Sequence, residues 1–339
     1  MKVLFLCHPE LDIGEYCLFN GLCELLGDEN VVTFPYKKIY NGQIANDYVL
    51  DDGKKGYTPP YDYMLKRNQK PQTIEEIVKN INIFDLVILA SARTYAVNAL
   101  REIRSKVKFS QPLVFHESED YEDIRFDIIN EFRPTVFFKR TIRKDGKNQF
   151  FENIKYNLPI YPFPLSAIVN TAPKVDDGDK KYSVWHVQGN TFELRERIHK
   201  LLLDMNLKNS FLHFVDSFAK NSSNALSYRD FMSTIAQSQI AVCSRGWSDD
   251  MQKRMEIPVY ETLMFTHVRG YIEPNEFENQ KHCIFYKLDL SDLVEKIGYY
   301  LQDENEARRI AKEGKNFLYK YHTSTVRAKE FIDITMRYA

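Results

Sequence analysis

The sequence has no apolar run long enough to cross a membrane, and it carries almost no net charge. Its apolar stretches stay well short of the roughly 20 residues that a transmembrane helix needs, so no membrane span is expected. The formal net charge of -1 gives no general attraction to nucleic acids or anionic membranes. The apolar segment 1–7 meets His8 and Pro9 at once, which is typical of a first strand rather than a signal peptide. We therefore expect a cytoplasmic protein.

Cysteine is scarce, and its spacing does not suit a metal or disulfide scaffold. The chain has 5 cysteines, an odd number, and no C-x-x-C pair. The sequence also lacks a P-loop, a G-x-S-x-G motif and zinc-ligand spacing. Asp177 and Asp179 have the D-x-D spacing of metal-dependent transferases of another fold, but they stand in a turn and do not follow a buried strand. We expect buried thiols, no metal and no cofactor.

What the sequence does contain is an alternation of short apolar strands with helices. Near-continuous apolar strands alternating with helices are typical of parallel sheets covered on both faces, that is, an α/β fold. Strands are predicted at 2–7, 31–35, 85–90, 112–115, 135–138, 182–187, 210–215, 239–243, 268–272 and 283–286. Helices are predicted at 14–26, 98–107, 123–132, 191–205, 227–236, 259–265, 290–301, 304–319 and 324–338, with a further helix start capped by Thr73 and Glu76.

The length of 339 residues and a proline-rich break indicate two domains. Residues 158–164 hold three prolines, which cannot continue a helix or a central strand. We predict two Rossmann-like domains, 1–160 and 161–323, and a C-terminal helix 324–339 that could pack back on the first domain. Ligands of open parallel sheets bind beyond the carboxyl ends of the strands, so the cleft between the domains is the expected site.

The stretch 244–261 is the strongest candidate for a nucleotide site. It follows a predicted buried strand with a turn that carries Arg245 and Gly246, and it then enters a helix. Turn amides with Arg245 or Lys253 could hold a diphosphate, and the carboxylate of Glu256 could accept both hydroxyls of a ribose. A solvated, salt-bridged helix start is the alternative for Lys253 and Glu256.

A second loop of the same half offers a similar arrangement. Gln188 and Gly189 follow the predicted strand 182–187, and Arg195 and Arg197 lie in the next helix. Glycine allows a close backbone approach, and a helix N-terminus favours an anion. The alternative is an ordinary strand-to-helix turn capped by Thr191.

Taken together, these segments resemble a known family. Residues 253–259, Lys-Arg-Met-Glu-Ile-Pro-Val, are similar to the R-x-F-E-I-P-A signature of CgeB-like glycosyltransferases, which belong with the group-1 glycosyltransferases of the two-domain GT-B fold. Segments 182–197, 273–277, 286–301 and 311–327 are similar to the same family, so the resemblance covers about residues 180–335 and the first half only in outline.

The resemblance implies roles for individual residues and shows two departures. It implies that domain 1–160 lies on the acceptor side and that domain 161–323 binds the nucleotide sugar. It also implies that Glu256 binds ribose and that Arg245 and Gly246 lie near the diphosphate. Lys253 stands where the family usually has arginine, which keeps the charge but loses the bidentate fork. Glu261 stands where the family usually has glycine, which would affect the local donor contact.

The first half supplies candidates for proton transfer. Residues 116–123 follow a predicted strand and hold several acids, so they would lie at the edge of the cleft. A glycosyl transfer needs a group that accepts the proton of the acceptor hydroxyl. Asp120 is the preferred candidate, followed by His116, Glu117 and Glu119; a capped acidic loop is the alternative. Arg140 could hold phosphates or the acceptor.

The predicted function is the metal-independent transfer of a sugar from a nucleotide-diphosphate sugar to an acceptor hydroxyl. The nucleotide sugar is a substrate rather than a cofactor. The acceptor would be an envelope glycan or a hydroxylated base in phage-type DNA, and the stereochemical outcome stays open. The alternatives are a nucleotide-sugar epimerase and a non-catalytic module that binds nucleotide sugars.

Overall fold

The computed structural model describes residues 1–9, 12–41, 67, 69–147, 153–175, 180–189, 191–215, 226–246 and 249–339. Asp177 and Asp179 lie outside these residues. All 5 cysteines lie in the described part, where they are buried and free of disulfides. No helix in these ranges is long and apolar enough to cross a membrane.

The first domain is built on a parallel sheet of six strands. With the strands numbered along the chain, their order across the sheet is β2-β1-β3-β4-β5-β6. Every neighbouring pair is parallel. Strand β6 contains Pro162 and lies at the edge, where proline is tolerated because no further strand needs its missing N–H. The strands are β1 (Val3–Leu6), β2 (Val31–Phe34), β3 (Leu86–Leu89), β4 (Leu113–Glu117), β5 (Val136–Lys139) and β6 (Ile160–Pro162).

The helices of this domain begin and end at residues that suit those positions. Asp12 caps the first helix by accepting a hydrogen bond from the Glu15 amide, and Gly27 ends it with a φ of 91°. The predicted capping box of Thr73 and Glu76 is present. The helices are α1 (Ile13–Leu26), α2 (Ile74–Lys79), α3 (Thr94–Lys106) and α4 (Phe126–Phe132).

The second domain repeats this architecture with five parallel strands in the order β11-β10-β9-β7-β8. The predicted α/β fold with two parallel sheets is thereby confirmed. Its strands are β7 (Tyr182–Gly189), β8 (Phe211–Val215), β9 (Ser238–Val242), β10 (Leu263–Thr266) and β11 (Ile284–Phe285). Its helices are α5 (Glu193–Asp204), α6 (Tyr228–Ala236), α7 (Gln252–Glu256), α8 (Leu293–Gln302) and α9 (Glu304–Tyr321).

The prediction of a helix at 259–265 and a strand at 268–272 is wrong. A 3₁₀ turn at Ile257–Tyr260 ends at Glu261, whose backbone is left-handed with a φ of 51°, and strand β10 follows at once. Residues 268–272 contribute only an isolated bridge between Tyr271 and Arg143. Short apolar runs fit a buried strand as well as a buried helix, so periodicity alone cannot separate them.

The chain crosses between the domains twice, and the two crossings run side by side. The Ala167 amide donates to the His322 carbonyl at 2.7 Å, and the Ser324 amide donates to the Ala167 carbonyl at 2.8 Å. The second crossing leads into α10 (Ser324–Thr335), which packs on α1 of the first domain. Phe331 of α10 stacks on Phe138 of β5 with ring centroids 4.3 Å apart.

Candidate functional site in the interdomain cleft

A cavity of about 350 Å³ lies between the two domains. It lies beyond the carboxyl ends of β5, β7 and β9, where open parallel sheets bind ligands. It brings the predicted Asp120 together with the predicted Gly246, Lys253 and Glu256. The lining residues are Ile13, Asp120, Arg140, Leu165, Thr191, Arg195, Gly246, Asp250, Met251, Gln252, Lys253 and Glu256.

Lys253 is held toward the loop after β7. Its Nζ donates to the Val187 carbonyl at 2.7 Å and to Gln188 Oε1 at 2.9 Å. Burial, with a contribution from Arg195, lowers the pKa of Lys253 to about 7. Gln188 is buried and does not line the cavity, so it acts on the site by fixing the lysine. An anion entering the cavity would favour the charged ammonium.

Glu256 lines the cavity with a carboxylate that accepts no hydrogen bond from the other lining residues. Burial raises the pKa of Glu256 to about 7, although the nearby Lys253 lowers it. Its side chain accepts no hydrogen bond from any residue within the described ranges. A carboxylate that is desolvated and has unused acceptor capacity suits a ligand that offers two hydroxyls.

Arg195 of α5 also lines the cavity, and we call Arg195 and Lys253 together the cationic wall. The sequence predicts Arg195 only as a residue of the helix that follows Gln188 and Gly189. Its Nε donates to the Arg245 carbonyl at 3.0 Å, and its Nη1 donates to Thr191 Oγ1 at 2.6 Å. A Cβ on Gly246 would lie 2.6 Å from Arg195 Nη2. Gly246 therefore leaves room for this guanidinium. Arg197 is directed elsewhere and donates to the Asp289 carbonyl at 3.4 Å.

The other two predicted donor residues lie next to the cavity but do not line it. Arg245 is paired with Asp249, with Nε and Oδ1 3.2 Å apart, and its guanidinium lies over the Phe192 ring at 5.0 Å. A Cβ on Gly189 would meet only Thr191 Cγ2, at 3.8 Å, so space remains above this backbone.

On the first-domain wall, Asp120 is positioned by a buried arginine. Arg140 Nη2 lies 2.6 Å from Asp120 Oδ1, and Arg140 Nε donates to Asp250 Oδ2 at 2.9 Å. Asp250 is itself buried, and its Oδ1 lies 2.7 Å from Arg269 Nη2. Asp250 also accepts a hydrogen bond from the Leu165 amide at 2.9 Å. This buried ion-pair network ties Asp120 to the second domain and to the crossing between them.

Two predicted catalytic residues lie away from this cavity. His116 is 1% exposed, and its ring makes edge contacts with Phe163 and Phe331. Burial lowers the pKa of His116 to about 3, so it stays neutral in the core. Strand β4 runs two residues further than predicted, which places His116 on the face under α10. Glu119 is buried and lies on a neighbouring cavity.

That neighbouring cavity, the first-domain cavity, has a volume of about 400 Å³. It lies beyond the carboxyl ends of β1, β3 and β4 and shares the loop 117–123 with the interdomain cavity. Its lining residues are His8, Ala92, Arg93, Thr94, Tyr95, Glu117, Glu119, Tyr121, Asp123 and Arg125.

Glu261 is remote from both cavities. Its Oε1 lies 3.1 Å from Lys315 Nζ on α9, and it lines a cavity on the far side of the second domain. The expectation that Glu261 would affect a donor contact therefore finds no support in the position of this side chain. A left-handed backbone is the physical reason why glycine suits this position.

The described residues include no group of three or more His, Cys, Asp or Glu side chains that could hold a metal ion. The cavity lining holds three cations, Arg140, Arg195 and Lys253, and three carboxylates, Asp120, Asp250 and Glu256. Two parallel-sheet domains that face each other across such a cavity define a GT-B protein.

Residues 207–333 match the family described as glycosyl transferase-like. The match covers less than half of the chain, and together with the fold it supports the predicted group-1 glycosyltransferase family and the predicted enzyme class. The narrower CgeB-like assignment stays a prediction. A comparison with curated proteins gives no match.

Solved structures with the same fold have little sequence in common with this chain. An alpha-glucosyltransferase in complex with UDP and a 13-mer DNA is 11% identical over 99% of each chain, with a TM-score of 0.59. HepE from Anabaena in complex with UDP-glucose is 11% identical over 99% of this chain and 100% of its own, with a TM-score of 0.59. MnaA from S. aureus with UDP is 13% identical over 98% of this chain and 95% of its own, with a TM-score of 0.53. At these identities the likeness shows the fold alone.

Proposed function

We propose that this protein transfers a sugar from a nucleotide-diphosphate sugar in the interdomain cavity to a hydroxyl group of an acceptor bound against the first domain. The observation that carries the proposal is that one cavity has Asp120 on its first-domain wall and Gly246, Lys253 and Glu256 on its second-domain wall. Three similar folds were solved with UDP or UDP-glucose, which supports a uridine nucleotide as the first donor to test.

The second-domain wall is suited to a nucleoside diphosphate. Arg195 and Lys253 provide two positive charges, and charge-assisted hydrogen bonds to phosphate are among the strong ones. A diphosphate would draw a proton onto Lys253, whose pKa of about 7 leaves it only partly charged without a ligand. Glu256 would accept hydrogen bonds from the two ribose hydroxyls, as a carboxylate with two free oxygens can.

The first-domain wall is suited to an incoming hydroxyl group. Asp120 is half exposed, and Arg140 fixes the direction of its carboxylate. In this position Asp120 would accept the acceptor proton as the new glycosidic bond forms. Movement of the domains about the two crossings would exclude water and protect the donor from hydrolysis.

The donor assignment is tested by isothermal calorimetry with UDP-sugars on the wild type and on Glu256→Ala. Loss of two hydrogen bonds to a carboxylate should weaken donor binding by at least about tenfold. Glu261→Ala is the matched control, because Glu261 lies outside the cleft, and it should bind the donor normally. Unchanged donor affinity in Glu256→Ala would refute the assignment.

Release of UDP separates transfer from the rival functions. Asp120→Asn should bind the donor normally but lower acceptor-dependent turnover on the order of a hundredfold or more, the typical contribution of a general base. An epimerase would convert the donor to a second nucleotide sugar without any acceptor. A binding module would bind the donor and release no UDP with any acceptor.

A further inference from the structure

The first-domain cavity is not used by the donor, yet it adjoins the proposed reaction centre. Glu119 and Tyr121 line this cavity, while Asp120 between them lines the interdomain cavity. A ligand in the first-domain cavity would therefore contact the same loop that carries the proposed base. The chemistry of its walls indicates what that ligand is.

One carboxylate oxygen in this wall is buried without a partner. Glu119 is 3% exposed, and its Oε1 accepts hydrogen bonds from Ser91 Oγ at 2.6 Å and from the Ala92 amide at 3.2 Å. Its Oε2 accepts no hydrogen bond within the described part of the chain. A buried acceptor atom without a hydrogen bond lowers the stability of the fold. The hydroxyl group of a ligand could donate this missing hydrogen bond.

Two aromatic rings in the same wall are open to solvent. Tyr121 is 71% exposed and Tyr95 is 43% exposed, and Tyr95 is braced edge-on by His8 with ring centroids 5.7 Å apart. Large exposed rings beside a cavity are suited to cover the apolar C–H face of a ligand ring. Sugar rings have this combination of an apolar face and hydroxyl edges.

The charges of the wall oppose a polyanion. The carboxylates Glu117, Glu119 and Asp123 face two arginines, both of which are held by acids. Arg125 is paired with Asp127 at 2.6 Å, and Arg93 lies 3.7 Å from Glu119 and 3.8 Å from Asp12. Binding of nucleic acid depends on cations that neutralise phosphates. This wall offers a surplus of carboxylates instead.

We infer that the first-domain cavity binds the acceptor as an uncharged saccharide, with one sugar hydroxyl on Glu119 and a ring face on Tyr121. The inference rests on the proposed function. In the transfer, the acceptor oxygen forms a bond to the anomeric carbon, and the bond from that carbon to the diphosphate breaks. The electron pair leaves with the nucleoside diphosphate, and the acceptor proton passes to Asp120.

The test measures UDP release and product formation with the full chain and UDP-glucose, or whichever UDP-sugar binds best in calorimetry. The acceptors are maltose, cellobiose, chitobiose and an uncharged cell-envelope oligosaccharide fraction, set against duplex DNA that carries hydroxymethylcytosine. Saccharide-dependent turnover should vary little with salt. Glycosylated DNA, or DNA binding that falls steeply as salt rises, would overturn the inference.

Variants locate the saccharide. Tyr121→Ala and Glu119→Gln should each raise the saccharide KM on the order of tenfold while the donor Kd stays the same. Tyr319→Ala is the control, since Tyr319 is an exposed tyrosine on α9. This variant should change neither the saccharide KM nor the donor Kd. A saccharide KM that stays at the wild-type value in Tyr121→Ala and Glu119→Gln would overturn the placement.

Saccharide binding without a donor, followed by NMR titration, keeps the two proposals apart. If saccharides bind but no UDP-sugar does, the proposed function fails and the saccharide site stands. If UDP-sugars bind but no saccharide either binds or increases UDP release, the saccharide site fails and the donor assignment stands.

Discussion

The two walls of the interdomain cleft have the same architecture but opposite chemistry. Both are loops at the carboxyl ends of parallel strands. The second-domain wall presents Arg195 and Lys253 with Glu256 and with Asp250, which is already paired with two arginines, whereas the first-domain side presents Asp120 and Glu119 beside arginines that are already paired. The difference shows that the fold provides the binding cleft, while the loop residues determine which ligand charge can bind there. An anionic donor suits one wall and a neutral acceptor suits the other.

The largest effect is expected where the two walls are joined. Asp250→Ala removes the acid between Arg140 and Arg269 and leaves two buried guanidinium groups without it. The free energy of unfolding should fall by about 3 to 5 kcal/mol, as when one partner of a buried pair is removed. Thermal unfolding measures the change. Asp333→Ala, which removes an exposed ion pair with Lys329, should cost at most about 1 kcal/mol, and an equal loss in both variants would refute the network's role.

The second effect concerns Glu256, the carboxylate beside Lys253 in the interdomain cavity. Because the folded pKa of Glu256 is about 7 and its ordinary value is 4.5, the folded protein keeps a proton that the unfolded chain loses between these pH values. Stability from this group is therefore present below about pH 4.5 and is lost as pH rises through 7. Glu256→Gln should gain on the order of 1 to 3 kcal/mol over the wild type across this window.

Chemical unfolding from pH 4 to pH 8 checks this difference. Glu15 and Glu117, whose pKa values burial also raises to about 7, are present in both proteins and cancel. Glu295→Gln, a change at an exposed position of α8, should show no such trend. A constant difference between Glu256→Gln and the wild type would contradict the burial of this carboxylate.

A third, smaller effect tests the position of Arg195. In Gly246→Ala the new methyl group displaces the guanidinium from its place, and because the end of an arginine is flexible the fold adapts at little cost. Donor affinity in calorimetry should fall on the order of tenfold, which corresponds to about 1.4 kcal/mol. Gly298→Ala on α8 meets no atom within 4 Å and should leave donor affinity unchanged. Equal donor affinity in both variants would remove Arg195 from the cationic wall.

The smallest effect lies outside both walls. Glu261→Gly relieves a left-handed backbone and should stabilise the protein by about 0.5 to 1 kcal/mol, or about 1 to 3 °C in Tm. Donor affinity should not change. Lys315→Ala breaks the same exposed ion pair without changing the backbone, and it should shift stability by less than about 1 kcal/mol. A weaker donor affinity in Glu261→Gly would show that Glu261 contributes to donor binding.

The fold could be predicted because its strands are short apolar runs separated by polar helices and clear helix ends such as Gly27. The failure at β10 came from a run, Leu263–Thr266, that is too short to show a period. The error at His116 has a related cause. Two further strand residues turn a predicted loop position into a core position, and the sequence contains no signal for where β4 ends.

The site could be predicted only where a local segment carries it. Lys253 and Glu256 lie in one helical turn that carries the family signature, so the sequence predicts both of them together. Arg195 and Gly246 are far apart in the chain, and their contact depends on how β7 and β9 lie side by side. The sequence does not predict the role of Asp250 for the same reason, because its partners Arg140 and Arg269 are far away in the chain and belong to separate domains.

The packing of α10 on α1 has a consequence for synthesis of the chain. Gly21 lies so close to the Ser324 carbonyl that a side chain would not fit, and Phe331 covers Phe138 and Phe163. These contacts cannot form until the whole second domain has left the ribosome, because α10 follows it. The aromatic face of the first domain stays uncovered until then, whereas the continuous second domain can fold as soon as it emerges.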